Sequence, residues 1–558
     1  MKSSDHGMNG MKNHTIRNPT EKRTMLDKRV FDVAILGSGM AGSILATILA
    51  RHGVSVVLID RAEHPRFAIG ESTIPHTSLM LRILAERFDV PEIADFSAFK
   101  TIHSNVATSC GLKRHFGFAY HREGQEHDIH EATQSVISEY PDGPESHLFR
   151  QDVDYYLLCL AIRYGVDVRQ KVEVQTIEID ESVRLIGARG EEIEAKYLVD
   201  ASGFRSLIAS KYDLREQPTR LKTHSRALFT HMIGVQPFED CIDTPPEEEM
   251  PRRWSQGTLH HIFDGGWLWV IPFNNHEDAR NPVCSVGLSL DSRRFPKDGR
   301  SGAEEFADFL QRFPSIARQF EGARPVREWI STHRLQYSSS RGVGDRFCLA
   351  AHASGAIDAL FSRGLANTME VIHALVPILL EALKDGEFGA ERFAYVEELQ
   401  QRQLDYNDRL VNCSYIAFRD FPLWNAWYRI WVLGAFYGWL RLSRAHLKYS
   451  QELDRSFFRV LDNPRWLGSM APALDTFEKH FDTATGLLEG VESGEVSVAE
   501  ATRRLYELLE NSPIVPPLFG LEDPEQRATI ELNRPQLLQL VRWVKKSAPQ
   551  EVRDIYYE

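Results

Sequence analysis

Two sets of residues have types and spacing that chemistry can use. The first is Gly37-Ser38-Gly39-Met40-Ala41-Gly42, which follows the apolar run Phe31–Leu36 and opens an apolar helical stretch to about His52. A second apolar run, VSVVLID, ends at Asp60, 23 positions after Gly37. In such a strand–turn–helix–strand unit Gly37 permits the tight turn, Gly39 lets a pyrophosphate approach the backbone, and Gly42 lets helix and strand pack closely. Met40 and Ala41 then lie at a helix N-terminus that offers N–H groups to phosphate, and Asp60, with Arg61 beside it, is placed to accept from an adenosine ribose. The motif indicates a dinucleotide and does not by itself separate FAD from NAD. The second set is Trp267 and Trp269 in GGWLWVIPFNNH. On a strand both indoles leave the same face. They read either as an aromatic pair in a sheet core or, beside a flavin, as a wall that holds back a bulky arene while admitting an anion.

These residues need a sheet to position them. Tyr197–Gly203 (YLVDASG) and Gly344–Leu349 (GDRFCL) are further apolar runs beside small residues, the latter leading to a helix from about Leu365 to Lys384. Three glycine-marked strand ends predict one sheet assembled from distant segments. Stretches at about 101–120, 168–195 and 223–290, rich in aromatic and β-branched residues, predict a second sheet over the cofactor. From about residue 385 the pattern turns helical, with amphipathic stretches such as VAEATRRLYELLE. The expected organisation is a polar, disordered tail over 1–27, an α/β body over 28–384 with an interleaved substrate sheet (about 101–120 and 223–340), and a helical part over 385–558. The tryptophan-rich FPLWNAWYRIWVLGAFYGWLRL contains Arg429 and reaches only the lower edge of a bilayer-spanning length, so it is expected to be a buried helix.

Composition narrows the partners. Lys and Arg number 65 against 78 Asp and Glu, a net charge of −13, which argues against a phosphate-backbone binder and so against nucleic acid. Six cysteines without a CxxC pair fit a reducing cytoplasm. No HExxH, Cys/His cluster or GxSxG supports a metal or serine-hydrolase mechanism. His260 and His261, as strand neighbours, face opposite ways and make no ligand pair.

WxWxIP, together with GxGxxG and Gly70-Glu71-Ser72-Thr73-Ile74-Pro75, resembles the flavin-dependent halogenases over roughly residues 30–450. HPRFAIGESTIPHTSLM, GPESHLFRQDVD and LFSRGL are similar to the phenylpyrrole-chlorinating members. The resemblance implies an FAD-binding, Rossmann-like body of the flavin monooxygenase type and a two-component reaction. Reduced FAD from a separate flavin reductase meets O2 to give a flavin hydroperoxide; chloride or bromide attacks its distal oxygen; the hypohalous acid crosses a tunnel to a lysine. That lysine, by hydrogen-bonding the oxidant or by forming a haloamine, halogenates a small electron-rich arene such as a phenylpyrrole or phenol.

On this resemblance Lys113 is the candidate, sharing a strand face with His115, Gly117 and Ala119. An alternative registration puts His115 in its place, and Lys100 is a weaker choice. The loop Phe361-Ser362-Arg363-Gly364 is implied as the halide site, with Ser362 and Gly364 supplying it. Phe361 stands where tryptophan halogenases carry a glutamate, which counts against free tryptophan. Arg150, Ser72, Asp345 and Asp358 join the implied FAD contacts. Ala351-His352 replaces a usual Gly-Asp, and Asp358-Ala359 a frequent Asp-Pro. A flavin aromatic hydroxylase is the alternative enzyme, and a low-turnover flavoprotein binding a carrier protein or membrane is the alternative of another class.

Overall fold

The structure is a computed structural model that describes residues 30–139, 143–462 and 474–557; the expected tail over 1–27 lies outside them. Its first sheet places in spatial order β17 (Val343–Gly344), β18 (Phe347–Leu349), β10 (Glu192–Asp200), β1 (Val30–Leu36), β2 (Val56–Ile59) and β7 (Asp167–Arg169), with β9 (Val183–Gly187) on β10 and β8 (Val174–Ile179) on β9. The strands from β18 to β7 run parallel. Parallel strands are covered on both faces, which is why β1 and β2 read as unbroken apolar runs. The cover on one face includes α1 (Met40–Arg51) and the helices Arg150–Arg163 and Gly364–Asp385.

The second sheet runs β15 (Arg324–Pro325), β11 (Ser225–Ile233), β14 (Cys284–Asp291), β13 (Gly266–Pro272), β12 (Thr258–Phe263), β4 (His115–His121) and β5 (Ala132–Val136), with β16 (Ile330–Arg334) beside β11. A short pair, β3 (Gly111–Lys113) with β6 (Glu145–His147), stands apart from both. Two expectations are corrected here. Most of the 168–195 stretch extends the first sheet through β8 and β9, because β9 pairs antiparallel with β10. Residues 102–106 form a turn of π-helix instead of a strand.

One face of the second sheet carries Phe116, Phe118, Tyr120, Ile262, Trp267, Trp269 and Phe229 into the largest core cluster, and the other carries Ala119, Leu259, Leu268 and Val286 into a separate one. The tryptophan-rich stretch forms the helix Phe421–Glu452 and brings buried Trp424, Tyr428 and Trp431 to that aromatic face, while Trp427 packs on Phe481. By length and composition Gly364–Asp385 is able to cross a membrane. However, 72% of its apolar window is buried in the fold, as in the core helix of a globular body.

Candidate active site

The glycine turn behaves as its spacing requires. Gly37 has φ +97°, and a Cβ there would lie 2.6 Å from the Ala201 carbonyl oxygen; a Cβ on Gly42 would strike the Gly37 carbonyl. At Gly39 the nearest atom to such a Cβ is 3.8 Å away, so the backbone opens onto free space. Helix α1 has neither a side-chain cap nor an acidic residue in its first turn, leaving its first N–H groups for an anionic guest. Gly39, Met40 and Ala41 line a cavity of about 470 Å³ that continues past Arg150, Trp267 and Trp269 to Ser362 and Gly364. Arg150 is locked in place by Asp154 and by the carbonyls of Ile69 and Gly70. These residues fit a flavin dinucleotide laid from the glycine turn toward the tryptophans.

The tryptophan wall depends on a cross-strand row. Gly287, Trp269, His260 and Phe118 are consecutive register partners across β14, β13, β12 and β4. A Cβ on Gly287 would lie 1.9 Å from the Trp269 ring, so only glycine lets that indole lie across the neighbouring strand. Trp267 and Trp269 meet at 5.5 Å between ring centroids, and His260 lies 5.4 Å from Trp267 and 4.5 Å from Phe116. Trp269 donates to Ser285 Oγ, whereas Trp267 Nε1 has no acceptor among the described residues.

Behind this layer is a second cavity of about 520 Å³, lined by Phe116, Glu145, His76, Trp431, Phe436 and Trp439 among others. Lys113 lies between the two cavities and is 0% exposed. Its Nζ donates to Ser72 Oγ, on the first cavity, at 2.7 Å and to the Thr73 carbonyl at 2.6 Å, and sits 4.3 Å from the centre of the Phe116 ring, on the second. Glu145 is its register partner across β3 and β6. The Glu145 carboxylate accepts from Thr73 Oγ1 at 2.6 Å and from Ser78 Oγ at 2.5 Å. Desolvation pushes the Lys113 ammonium down to about 7, opposed by the charge of Glu145, while burial pushes Glu145 up. Nothing in the type or spacing of Glu145 marked it out; only the pairing of β3 with β6 brings it to the lysine.

The face assignment for Lys113 is corrected. The strand breaks at Arg114, whose N–H donates to the Gln256 carbonyl. Lys113 therefore turns toward the Phe116 face, while His115 faces Trp254 and its Nε2 donates to the Arg253 and Trp254 carbonyls. Burial holds His115 down at about 4. Neither His115 nor Lys113 is itself part of either lining, but only Lys113 contacts lining residues of both, Ser72 and Phe116; Lys100 is exposed.

Other expected contacts divide. Asp60 is occupied: its oxygens accept from Ser38 N–H and Oγ, Ala62 N–H and Arg66. Burial opposes its charge, but those donors outweigh burial and hold the carboxyl below its ordinary range. Arg61 is exposed and borders neither cavity. Asp345 is also exposed and accepts from the Ala390 N–H, away from the cleft. Asp358 reaches the first cavity's wall, but it serves as a brace, accepting from Ser225, Ser289, Tyr415 and the Leu360 N–H; burial nevertheless raises its pKa. Phe361 turns away from the first cavity and stacks on Trp431 at 4.8 Å, leaving Ser362 and Gly364 on the lining.

A parallel sheet with a glycine-turned dinucleotide cleft, capped by a second sheet, defines a flavoenzyme of the monooxygenase type. The tryptophan halogenase family profile matches residues 32–96 and 145–430. The chain is 46% identical over 538 residues to tetracycline 7-halogenase of Kitasatospora aureofaciens, covering 96% of each protein. It is also 46% identical over 537 residues to monodechloroaminopyrrolnitrin halogenase PrnC of Pseudomonas fluorescens, covering 95% of this chain and 94% of the relative. The crystal structure of halogenase PltM in complex with phloroglucinol and FAD superposes with a TM-score of 0.86 at 35% identity, covering 90% of this chain and all of that one. The chain belongs to the tryptophan halogenase family. It is a flavin-dependent halogenase of aromatic substrates, with FAD as cofactor and halide and O2 as co-substrates.

Proposed function

We propose that this enzyme chlorinates or brominates a free, electron-rich small arene, of the phenylpyrrole or phenol kind, and that Lys113 directs the halogen. The observation that carries this reading is the burial of Lys113 between Ser72 on one cavity and Phe116 and Glu145 on the other. Bound FAD supplies the oxidation: FADH2, O2, halide and a proton give FAD, hypohalous acid and water. Gly37, Gly39, Met40, Ala41, Gly42 and Arg150 hold the dinucleotide, and the N–H groups around Ser362 and Gly364 hold the halide at a helix start without side-chain cap or acid.

Lys113, as ammonium, donates a proton to the oxygen of hypohalous acid. The O–X bond breaks as the ring carbon takes the halogen, and water leaves. Glu145, which lines the second cavity, accepts the ring proton and returns it to Lys113, its partner across β3 and β6; Thr73 braces both, its carbonyl accepting from Lys113 and its hydroxyl donating to Glu145. Holding the oxidant over one carbon turns an encounter into an oriented reaction. A free substrate is favoured because relatives at 46% identity carry the names tetracycline 7-halogenase and PrnC, whereas a peptidyl-carrier-protein chlorinase is only 24% identical. A separate reductase delivers the reduced flavin by transient encounter. The cytoplasm is the compartment we assign, supported by six cysteines that all stand as thiols.

The test is incubation with FAD, a generic flavin reductase and NADH, in chloride or in bromide, with mass-spectrometric screening of phenylpyrroles, phenols and indoles. A halide-dependent isotope pattern is expected. A product that gains one oxygen regardless of halide would establish the hydroxylase instead.

A further inference from the structure

Of all the described residues, Arg363 is the single one that lines both cavities. Its place is fixed by its neighbours: Phe361 is stacked on Trp431, Ser362 is held in the left-handed region at φ +52°, and Gly364 begins a 22-residue helix. The side chain is only 6% exposed. Yet its Nε has no partner among the described residues, and the hydrogen bond from Nη2 to Asn367 Oδ1 is long at 3.4 Å. Glu370, whose charge favours the guanidinium, has both oxygens engaged, Oε1 by His76 at 2.6 Å and Oε2 by Gln403. A buried cation with so few partners is costly unless a polar or anionic guest completes it.

We propose that Arg363 is a relay site for the oxidant: its guanidinium hydrogen-bonds the oxygen of hypohalous acid, or of hypohalite, as the oxidant passes from the flavin cavity to the lysine cavity. This rests on the reaction assigned above. No bond to halogen forms or breaks at Arg363. A protonated guanidinium presents no free nitrogen lone pair to electrophilic halogen and does not give up its proton near neutrality, so it holds the oxidant without consuming it. In the reaction assigned above the O–X bond breaks at Lys113, which hands its proton to the departing oxygen. Arg363 thus accounts for delivery and Lys113 for reaction.

The experiment uses the full chain with FAD, reductase, NADH and bromide or chloride. It compares Arg363→Met, Arg363→Gln and Arg363→Lys for oxygen consumed, halogenated arene formed, and hypohalous acid escaping to a 1,3-diketone scavenger. The Met and Gln variants are expected to leak at least about fivefold more oxidant per oxygen consumed, with a matching fall in arene product; Lys should restore part of the coupling. Gln decides the matter if Met does not fold. Wild-type leakage and product in the neutral variants would overturn the relay, as would a raised halide KM with unchanged leakage, which would make Arg363 a halide-holding residue. Failure of the wild type to make any halide-dependent product would instead remove the assigned reaction.

Discussion

The two cavities are similar in volume, about 470 and 520 Å³, but they are built differently. The first opens on a glycine turn and the starts of two helices and is otherwise walled by apolar side chains, among them Phe229, Trp267, Trp269, Leu335 and Leu404. The second is lined by widely separated segments: Ile74 to Arg82, Ser97, Phe116, Ser135 to Ser138, Gly143, Glu145, Arg363, Trp431 to Leu447, and Phe519 to Leu537. Backbone walls change little with single substitutions, whereas side-chain walls change with each one. The glycine turn and the two helix starts are the part of the first cavity that single substitutions change least, whereas the second offers no comparable backbone element.

The comparison is tested most severely at Lys113, which separates the two. Lys113→Ala should reduce halogenated product by about 10²–10⁴-fold, the usual contribution of a positioned proton donor, while reduced flavin goes on consuming oxygen. Regioselective chlorination that survives in this variant would defeat the assignment. Glu145→Gln should cost about 100-fold, at the low end of that range, and carries a pH signature. With the ammonium as the active form, product formation persists below the Lys113 pKa and falls as pH rises through it, near 7 in the wild type. Glu145 opposes the desolvation that lowers this pKa, so removing its charge should move the fall to lower pH. A rate that climbs with pH through the same region would point to a neutral amine and a haloamine.

At the Trp269 wall, replacement by Ala removes a large buried indole, at a cost of about 3–5 kcal/mol in stability. It should also raise uncoupled and oxygenated products several-fold by letting arene reach the flavin side. Gly287→Ala is the gentler probe, since it displaces the indole without deleting it. Product ratios unchanged in both variants would show that the tryptophans only fill the core.

Much of the first cavity was legible in the sequence because its determinants are local. Gly37 to Gly42 fall within one turn, and Trp267 and Trp269 are two residues apart on a strand. What the sequence left out has a common cause. Asp60 and Asp358 are acids at plausible positions whose donors, Ser38 and the Ser225, Ser289 and Tyr415 group, come partly or wholly from distant segments. Period-two alternation put Lys113 on the His115 face, but the break at Arg114 ended that period. The second cavity was scarcely legible: Glu145 reaches Lys113 only through strand pairing, and Trp431 and Trp439 reach it only after a helix of 32 residues has docked on the aromatic face.

The smallest effect is expected where the second cavity is purely a matter of shape. Ala435 lines it one helical turn beyond Trp431 and one before Trp439. Ala435→Leu adds three carbons to that wall without touching Lys113, Glu145 or the first cavity. Filling part of an arene site is worth about 1 kcal/mol for a poorly fitting ring, or about fivefold in KM. Larger substrates should lose more than single-ring phenols, while oxygen consumption and halide KM stay at wild-type values. An equal change in halide KM would mean that the two cavities are not independent, and that substrate occupancy feeds back on the flavin side through the layer of His260 and Phe116.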